Sequence, residues 1–513
     1  MTSWSREFLF SYLQLLRAQT ARHMQLISTL LGLVIGLLSF LLIGEALLRT
    51  LRLEQAGLWR TERLVVSFGL GNGAIILEMF FFSMGNVPLT RQALALPWLL
   101  MGGGLLYGRW QRRRPLSWGR LRGSLSALGT LRPGSQKGLR VWWGPFFVLA
   151  IALAVTVLFV TTLRTPFLYG DDIAFWTPKA KIFYRYRSTP WAAFSDLPEF
   201  FHPDYPLLVP FTEVWLFLWM GQVNEYLMKF LFPVYTMLLV LGVWAFVYRF
   251  SGPQAALVAA GLLATTPFVL IQGTTGYADL PLAFYYWLAT ALLLGWFHTS
   301  RVALLVLGAI FLGFTGWTKN EGLPLMLFNG GALVAYLVAR RRSDCREMLR
   351  AVLMFGGIAV SIVLPWLVAR YNFRFESDLP VPPLSNLLPL MLQRSWPIGK
   401  ALAKELFGAE CVLTKWNLAW YLLVLGVVLH RRALWSSLLR YPLFLTAVQV
   451  LLYASIYVIT PYDLGWSISA SLSRLLLHVY PLPCWLIGWA IATEVSGTVS
   501  GQYEELICPK KSP

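Results

Sequence analysis

The sequence predicts an all-α protein that crosses a membrane about 13 times, with interfacial helices in its first large loop. Three observations carry this. Of 513 residues, 57% are hydrophobic and only 13% are charged. Apolar runs recur that reach or approach the roughly 20 residues needed to cross a hydrocarbon core. The basic residues stand beside those runs, as in "RWQRRRPLSWGRLRG" at 109–123 and "ARRRSDCREMLR" at 339–350, the pattern of cytoplasmic loops.

Spans are predicted near 25–48, 64–83, 92–108, 142–163, 228–249, 254–272, 281–297, 302–316, 323–339, 351–369, 417–429, 441–460 and 479–495. With 109–140 cytoplasmic, the Arg49–Arg63 loop, 339–350, "HRRALWSSLLR" at 430–440 and the tail with Lys510 and Lys511 all fall on the same side. Four separate basic segments agreeing makes the topology self-consistent. Arg6, Arg17 and Arg22 are the exception, on the outer side. Arg6 precedes, and Arg17 and Arg22 belong to, "EFLFSYLQLLRAQTARHMQ", which lacks the short apolar core and cleavage site of a signal peptide and reads as an interfacial helix.

The stretch 206–222, "PLLVPFTEVWLFLWMGQ", is apolar enough to suggest a further span. A crossing there would invert everything downstream and turn the 339–350 arginines outward. It is therefore expected to lie along the membrane, its aromatics at headgroup level. "GTLRPGSQKG" at 129–138 reads as a flexible linker. The organisation is then a three-helix extension over 1–140, a membrane core over 141–369 with an outer loop at 164–227, an outer loop over 370–416, and closing helices with a short tail over 417–513.

The net charge of +19 belongs to the membrane pattern, and no nucleic-acid fold can be traced. Cys345, Cys411, Cys484 and Cys508 are scattered without metal-ligand spacing. Only Cys411 falls in an outer loop, so no internal disulfide is expected.

The polar residues that can do chemistry collect at the outer ends of the predicted spans. Asp171 and Asp172 follow Gly170 in a turn, with Thr177 as N-cap and Pro178 opening a helix. Adjacent side chains cannot both point one way, so the pair is expected to have two roles. The plain alternative is a solvated charge pair gaining a little from a helix dipole. Asp279 opens the 281–297 span, where it also suits a helix cap. Lys319 and Glu321 interrupt two apolar runs, and Lys319 alone would read as a snorkelling lysine. Arg474 and His478 lie one helical turn apart. Lys179, Lys181 and His202 flank the acidic turn, the lysines open between substrate contacts and headgroup anchors. Carboxylates beside Lys and Arg at a membrane edge suit a lipid-linked phosphate. A carboxylate takes a proton from a hydroxyl, and the cations stabilise a departing phosphate.

"YGDDIAFWTPKAKIFY", "HPDYPLLVPFTEVW…VNEYLMKF", "GTTGYADLPLAFYYWLAT", "WTKNEGLP" and "SRLLLHVYPLP" together resemble the successive landmarks of the GT-C membrane glycosyltransferases. The branch resembled is the one holding protein O-mannosyltransferases and lipid A aminoarabinose transferases. The resemblance covers roughly 145–480 and leaves the first 140 residues aside. It implies a GT-C-like fold and an inverting transfer of a sugar from a polyprenyl-phosphate donor to a lipid, glycan or protein acceptor. It implies the outer face of a bacterial inner membrane, with surrounding lipids as the other contact. By the same resemblance Asp171 is the base, Asp172 its companion, and Asp279 an acid orienting the acceptor or a metal. Lys319 and Arg474 are implied to contact the donor phosphate, with Lys179 and His478 as further candidates. His202, Glu321 and Lys181 are secondary candidates. No cofactor is required by this chemistry. A divalent cation such as Mg or Mn on Asp171, Asp172 and Asp279 is the open alternative. Departures are His202-Pro203-Asp204 for His-Pro-Pro, Glu321 after Lys319, and Leu475 after Arg474. A lipid-pyrophosphate ligase or polymerase, a lipid-sugar flippase and a non-catalytic scaffold are the competing readings.

Overall fold

The computed structural model describes residues 3–111, 143–165, 170–191, 202–340, 345–375 and 382–496. The basic segment 109–123, the linker 129–138 and the Lys510–Lys511 tail fall wholly or mostly outside these. Helices dominate, as lipid requires: a backbone in hydrocarbon must satisfy its own N–H and C=O groups. Seven described helices are long and apolar enough to cross a membrane, or up to nine if two bent pairs each count as one span. The chain is therefore a multi-pass membrane protein.

Helix α1 (Ser3–Thr50) is one 48-residue helix. It absorbs both the expected first span and the stretch read as a separate interfacial helix. Helices α2 (Arg60–Met84), α3 (Arg91–Gln111) and α4 (Trp143–Arg164) follow. A π-helical turn, Asp172–Trp176, leads straight into α5 (Thr177–Tyr186). Then come α6 (Leu208–Met220), α7 (Leu231–Thr265), α8 (Pro267–Gln272), α9 (Asp279–Thr299), α10 (Val302–Thr318) and α11 (Gly322–Arg340). The chain ends on α12 (Cys345–Asn372), α13 (Leu384–Phe407), α14 (Ala419–Leu429), α15 (Arg440–Ile459), α16 (Leu464–Val479) and α17 (Pro481–Ser496).

The expected 13 spans differ from this at four places. One is α3, with Pro97 inside it. Two are the short apolar helices α10 and α11. The fourth is the second limb of α7, which runs on from the first as one helical assignment. That run is broken at Gly252, whose φ of 85° lies in the left-handed region, where glycine carries no Cβ penalty. Gly273 lies against the Thr236 side chain. A straight helix would hold those residues about 55 Å apart at 1.5 Å per residue, so the chain has doubled back. Both limbs expected from the sequence exist, joined by the Gly252-Pro253 turn.

Helix α9 stands at the centre. Its sequence is apolar on every side, the mark of an enclosed helix, and 94% of its apolar window is buried. Tyr285 donates to the Gly69 carbonyl at 3.1 Å, so α2 packs directly on this centre. Asn72 of α2 bonds both Tyr235 and Thr212. The described part of the 1–140 extension is thus built into the core.

The 206–222 segment is corrected. Helix α6 does not lie at the surface: every residue but Trp219 is buried. Its flanks both return to one end of the bundle. Asp204 meets Asn320 at 2.7 Å, and Gln222 meets Gln25 and Thr29 at 3.0 and 2.9 Å. It dips into the protein and comes back, which keeps the topology downstream unchanged.

The two ends of the bundle differ in chemistry. At one, Arg249 pairs with Glu62, Arg63 with Glu45 at 2.7 Å, and Arg301 donates to the Ala56 carbonyl at 3.2 Å. At the other stand Asp171, Asp279 and Lys319. The outer loop expected over 370–416 holds helix α13, and the stretch between the last two expected spans holds most of α16.

Candidate functional site

The polar end is assembled by helix termini. Asp279 is the first residue of α9, where the helix dipole favours a carboxylate. Lys319 follows the last residue of α10, where the dipole favours a cation. Arg474 and His478 occupy the last two turns of α16, again the end that favours positive charge. Packing these termini together brings acid and base partners into contact without a long loop.

Asp279 is the hub, with its side chain fully buried. Its Oδ1 accepts from Lys319 Nζ at 3.0 Å and lies 2.9 Å from His478 Nε2; its Oδ2 accepts from Arg474 Nε at 2.9 Å. Lys319 Nζ also reaches Glu321 Oε1 at 2.8 Å. Burial works against the Lys319 charge, but Asp279 and Glu321 outweigh it, so its pKa lies above the ordinary lysine value. The other His478 nitrogen, Nδ1, meets the Tyr453 hydroxyl at 3.1 Å.

Arg474 then reaches from this hub to the acidic turn, donating through Nη2 to Asp171 Oδ2. Asp171 remains 24% exposed at its side chain. Asp172 turns the other way and is buried, accepting from the Ile173 amide at 2.8 Å. Burial pushes its carboxyl above the usual carboxylate range, against the Ile173 and Gly276 amides and Lys229. The two carboxylates point apart: Asp171 faces the cations and Asp172 faces the protein.

A second network braces the site. Asp204 Oδ2 accepts from Asn320 and pairs with Arg370 at 3.5 Å. This ties the His202–Asp204 loop to the Lys319–Glu321 turn. Beside the site, Glu405 accepts from Lys415 and Trp416, each at 2.8 Å, and from Ser473 at 2.6 Å. That fixes α13 against α16 one residue before Arg474.

The sequence-predicted residues divide into two groups. Asp171, Asp279, Lys319, Glu321, Arg474 and His478 form one connected cluster. Lys179, Lys181 and His202 have other partners. Lys179 is buried, donates to the His202 carbonyl at 2.6 Å, and lies 5.5 and 5.4 Å from the Phe175 and Trp176 ring centres. Lys181 pairs with Glu225. The His202 ring packs between Phe175 and Tyr205. Thr177 is not the expected N-cap, because the π turn before it already continues into α5 and its hydroxyl caps nothing. Sequence reasoning missed Asn320, Arg370, Tyr277 and Tyr453, each an ordinary residue until its partner is known.

The three aspartates named for a divalent cation do not converge. The Arg474 guanidinium stands between Asp171 and Asp279, and Asp172 is committed to backbone amides. Among the described residues no three His, Cys, Asp or Glu side chains gather as a metal site.

No family model matches the sequence, and none of the curated proteins does. Among solved structures, the chain is similar to ArnT from Cupriavidus metallidurans bound to undecaprenyl phosphate. The identity is 18% and the TM-score 0.46, over 68% of this chain and 60% of that one. For the apo state of the same protein the values are 17% and 0.45, over 69% and 61%. The archaeal oligosaccharyltransferase AglB from Archaeoglobus fulgidus, in complex with an inhibitory peptide and a dolichol-phosphate, gives 11% and 0.43, over 73% and 53%. The chain thus spans about three fifths of the ArnT chain it is aligned with.

Proposed function

We propose that the protein is an inverting glycosyltransferase that moves a sugar from a polyprenyl-phosphate donor to an acceptor hydroxyl at the polar end of the bundle. One observation carries the reading: two cations, Lys319 and Arg474, are held by one buried carboxylate directly beside a second, partly exposed carboxylate, Asp171. The sequence landmarks that resemble the GT-C enzymes support it.

In the reaction Asp171 accepts the proton of the acceptor hydroxyl. The hydroxyl oxygen bonds to the anomeric carbon as the carbon–phosphate oxygen bond breaks, and polyprenyl phosphate leaves with both electrons of that bond. Arg474 and Lys319 stabilise the negative charge growing on the leaving oxygen. In the ligand-free arrangement Arg474 occupies Asp171 Oδ2. A donor phosphate competes for that guanidinium and frees the carboxylate to act as base. No step is assigned to a metal. His478 is fully buried between Asp279 and Tyr453 and orients Asp279 in this reading. Arg474 and His478 are also the pair that would suit a pyrophosphate-dependent ligase, and the choice of donor in the transfer assay separates the two.

The arginine-lined end is assigned to the cytoplasm by the distribution of basic residues. The polar end then faces the outside of a bacterial-type inner membrane. Purified protein in detergent is expected to transfer sugar from a polyprenyl-monophosphate donor. Asp171→Asn should lower the rate about a thousandfold, the scale of general base catalysis. Equal rates for the two proteins would end this assignment, as would transfer from pyrophosphate donors alone.

A further inference from the structure

We propose that Tyr277 is the positioning residue that sets Asp171 against Arg474; this rests on Asp171 being the base. From one side chain Tyr277 touches Arg474 and the glycine that precedes Asp171. The Arg474 guanidinium carbon lies 4.5 Å from the centre of its ring, a cation–π contact that fixes the plane of the guanidinium. Its hydroxyl packs against Gly170, the residue directly before Asp171.

The fit around that hydroxyl is specific. A Cβ added to Gly170 would come within 1.7 Å of the Tyr277 hydroxyl oxygen and 2.7 Å of the ring carbon bearing it. Gly170 also has a φ of 95°, so only glycine both turns the chain there and leaves room for the phenol. The acidic turn is seated on Tyr277 at the residue just before the base. Burial raises the Tyr277 pKa, so the phenol stays neutral.

Neighbours of Tyr277 complete the seating. The Gly276 amide is directed at the Asp172 carboxylate, and Asp279 holds the other face of Arg474. The six-residue junction 273–278, with the first residue of α9, therefore lies against both the acidic turn and the cation that faces it. Tyr277 itself contacts Arg474 and the acidic turn and needs no contact with substrate.

The test separates the hydroxyl from the ring. Tyr277→Phe keeps the ring under Arg474 and loses the seat for Asp171, so kcat should fall about tenfold through misplacement of the base. Its donor KM should stay within about twofold, since the cation–π contact is kept. Tyr277→Leu loses both contacts, and the donor KM should rise about fivefold as well. A Tyr277→Phe enzyme with wild-type kcat overturns the proposal. So does a variant whose only change is a lower unfolding temperature, the outcome of a purely structural role. If the wild type transfers nothing, the functional reading falls by itself. A structure of Tyr277→Leu then decides the positioning claim: Arg474 still bonded to Asp171 overturns it, and Arg474 swung away supports it.

Discussion

Arg474 and Asp279, 195 residues apart in the chain, meet at 2.9 Å in the interior of the polar end. The carboxylate is fully buried and the guanidinium nearly so. Each charge there depends on its partners, since breaking a buried pair is costly. Asp279→Ala removes the counter-ion that both cations share, leaving Arg474 only Asp171 and Lys319 only Glu321. It should destabilise the protein by about 3–5 kcal/mol, read from the unfolding midpoint in detergent. An unchanged midpoint would show that Asp279 is not the counter-ion described.

Arg474 bridges two carboxylates by two different nitrogens. A lysine offers one point charge and no fork. Arg474→Lys should therefore keep the charge but lose about a hundredfold in kcat/KM, the usual loss when one oriented donor is removed from a developing anion. Activity within a few-fold of wild type would mean that charge alone is used.

Asp172 supplies a pH signature. Burial raises its pKa in the folded protein above the unfolded value of 3.8. In the window just above 3.8 the folded state binds more protons than the unfolded state. Stability therefore falls as pH rises through that window. Asp172→Asn keeps the acceptor oxygen for the Ile173 amide and carries no charge. Its unfolding temperature relative to wild type should grow as pH increases from 4 to neutrality (roughly three units above the ordinary carboxylate value). A constant difference across that range would remove the assigned cause.

Cys345 tests the orientation. It is exposed at the start of α12, at the end where α11 finishes, away from Lys319. With Cys508 replaced by serine, a membrane-impermeant thiol reagent should miss Cys345 in intact cells and label it in inverted vesicles. Labelling in intact cells would turn the protein over.

The sequence made the site's members legible because each is a charge at the edge of an apolar run. Singly, Asp279 reads equally well as a cap and Lys319 as a snorkelling side chain; they stand out only together with Arg474 and the landmarks that resemble the GT-C enzymes. Their pairing was not legible: the contacts depend on how α9, α10 and α16 meet end to end, and hydropathy carries no information about that. Lys179 and His202 misled for the same reason, as one buried lysine among aromatic rings looks like any other in a string of letters. Helix α6 was misplaced despite a signal in its favour. An interfacial helix needs a polar face, whereas "LVPFTEVWLFLWM" has only Thr212 and Glu213 among 13 residues, which reads as enclosed on all sides. The second limb of α7 was legible, because Gly252-Pro253 marks a turn in any context.

The burial of α6 bears on how the protein is made. A segment this apolar emerging from the ribosome is a candidate for insertion as a crossing, and one extra crossing would place α9, α10 and α16 upside down. What keeps it from crossing is the docking surface already laid down by α1 and α2, through Gln25, Thr29 and Asn72. The amino-terminal helices thus supply the polar partners that this segment meets in the fold. A chain begun after α2 is expected to insert in mixed topologies even though it retains every residue of the site.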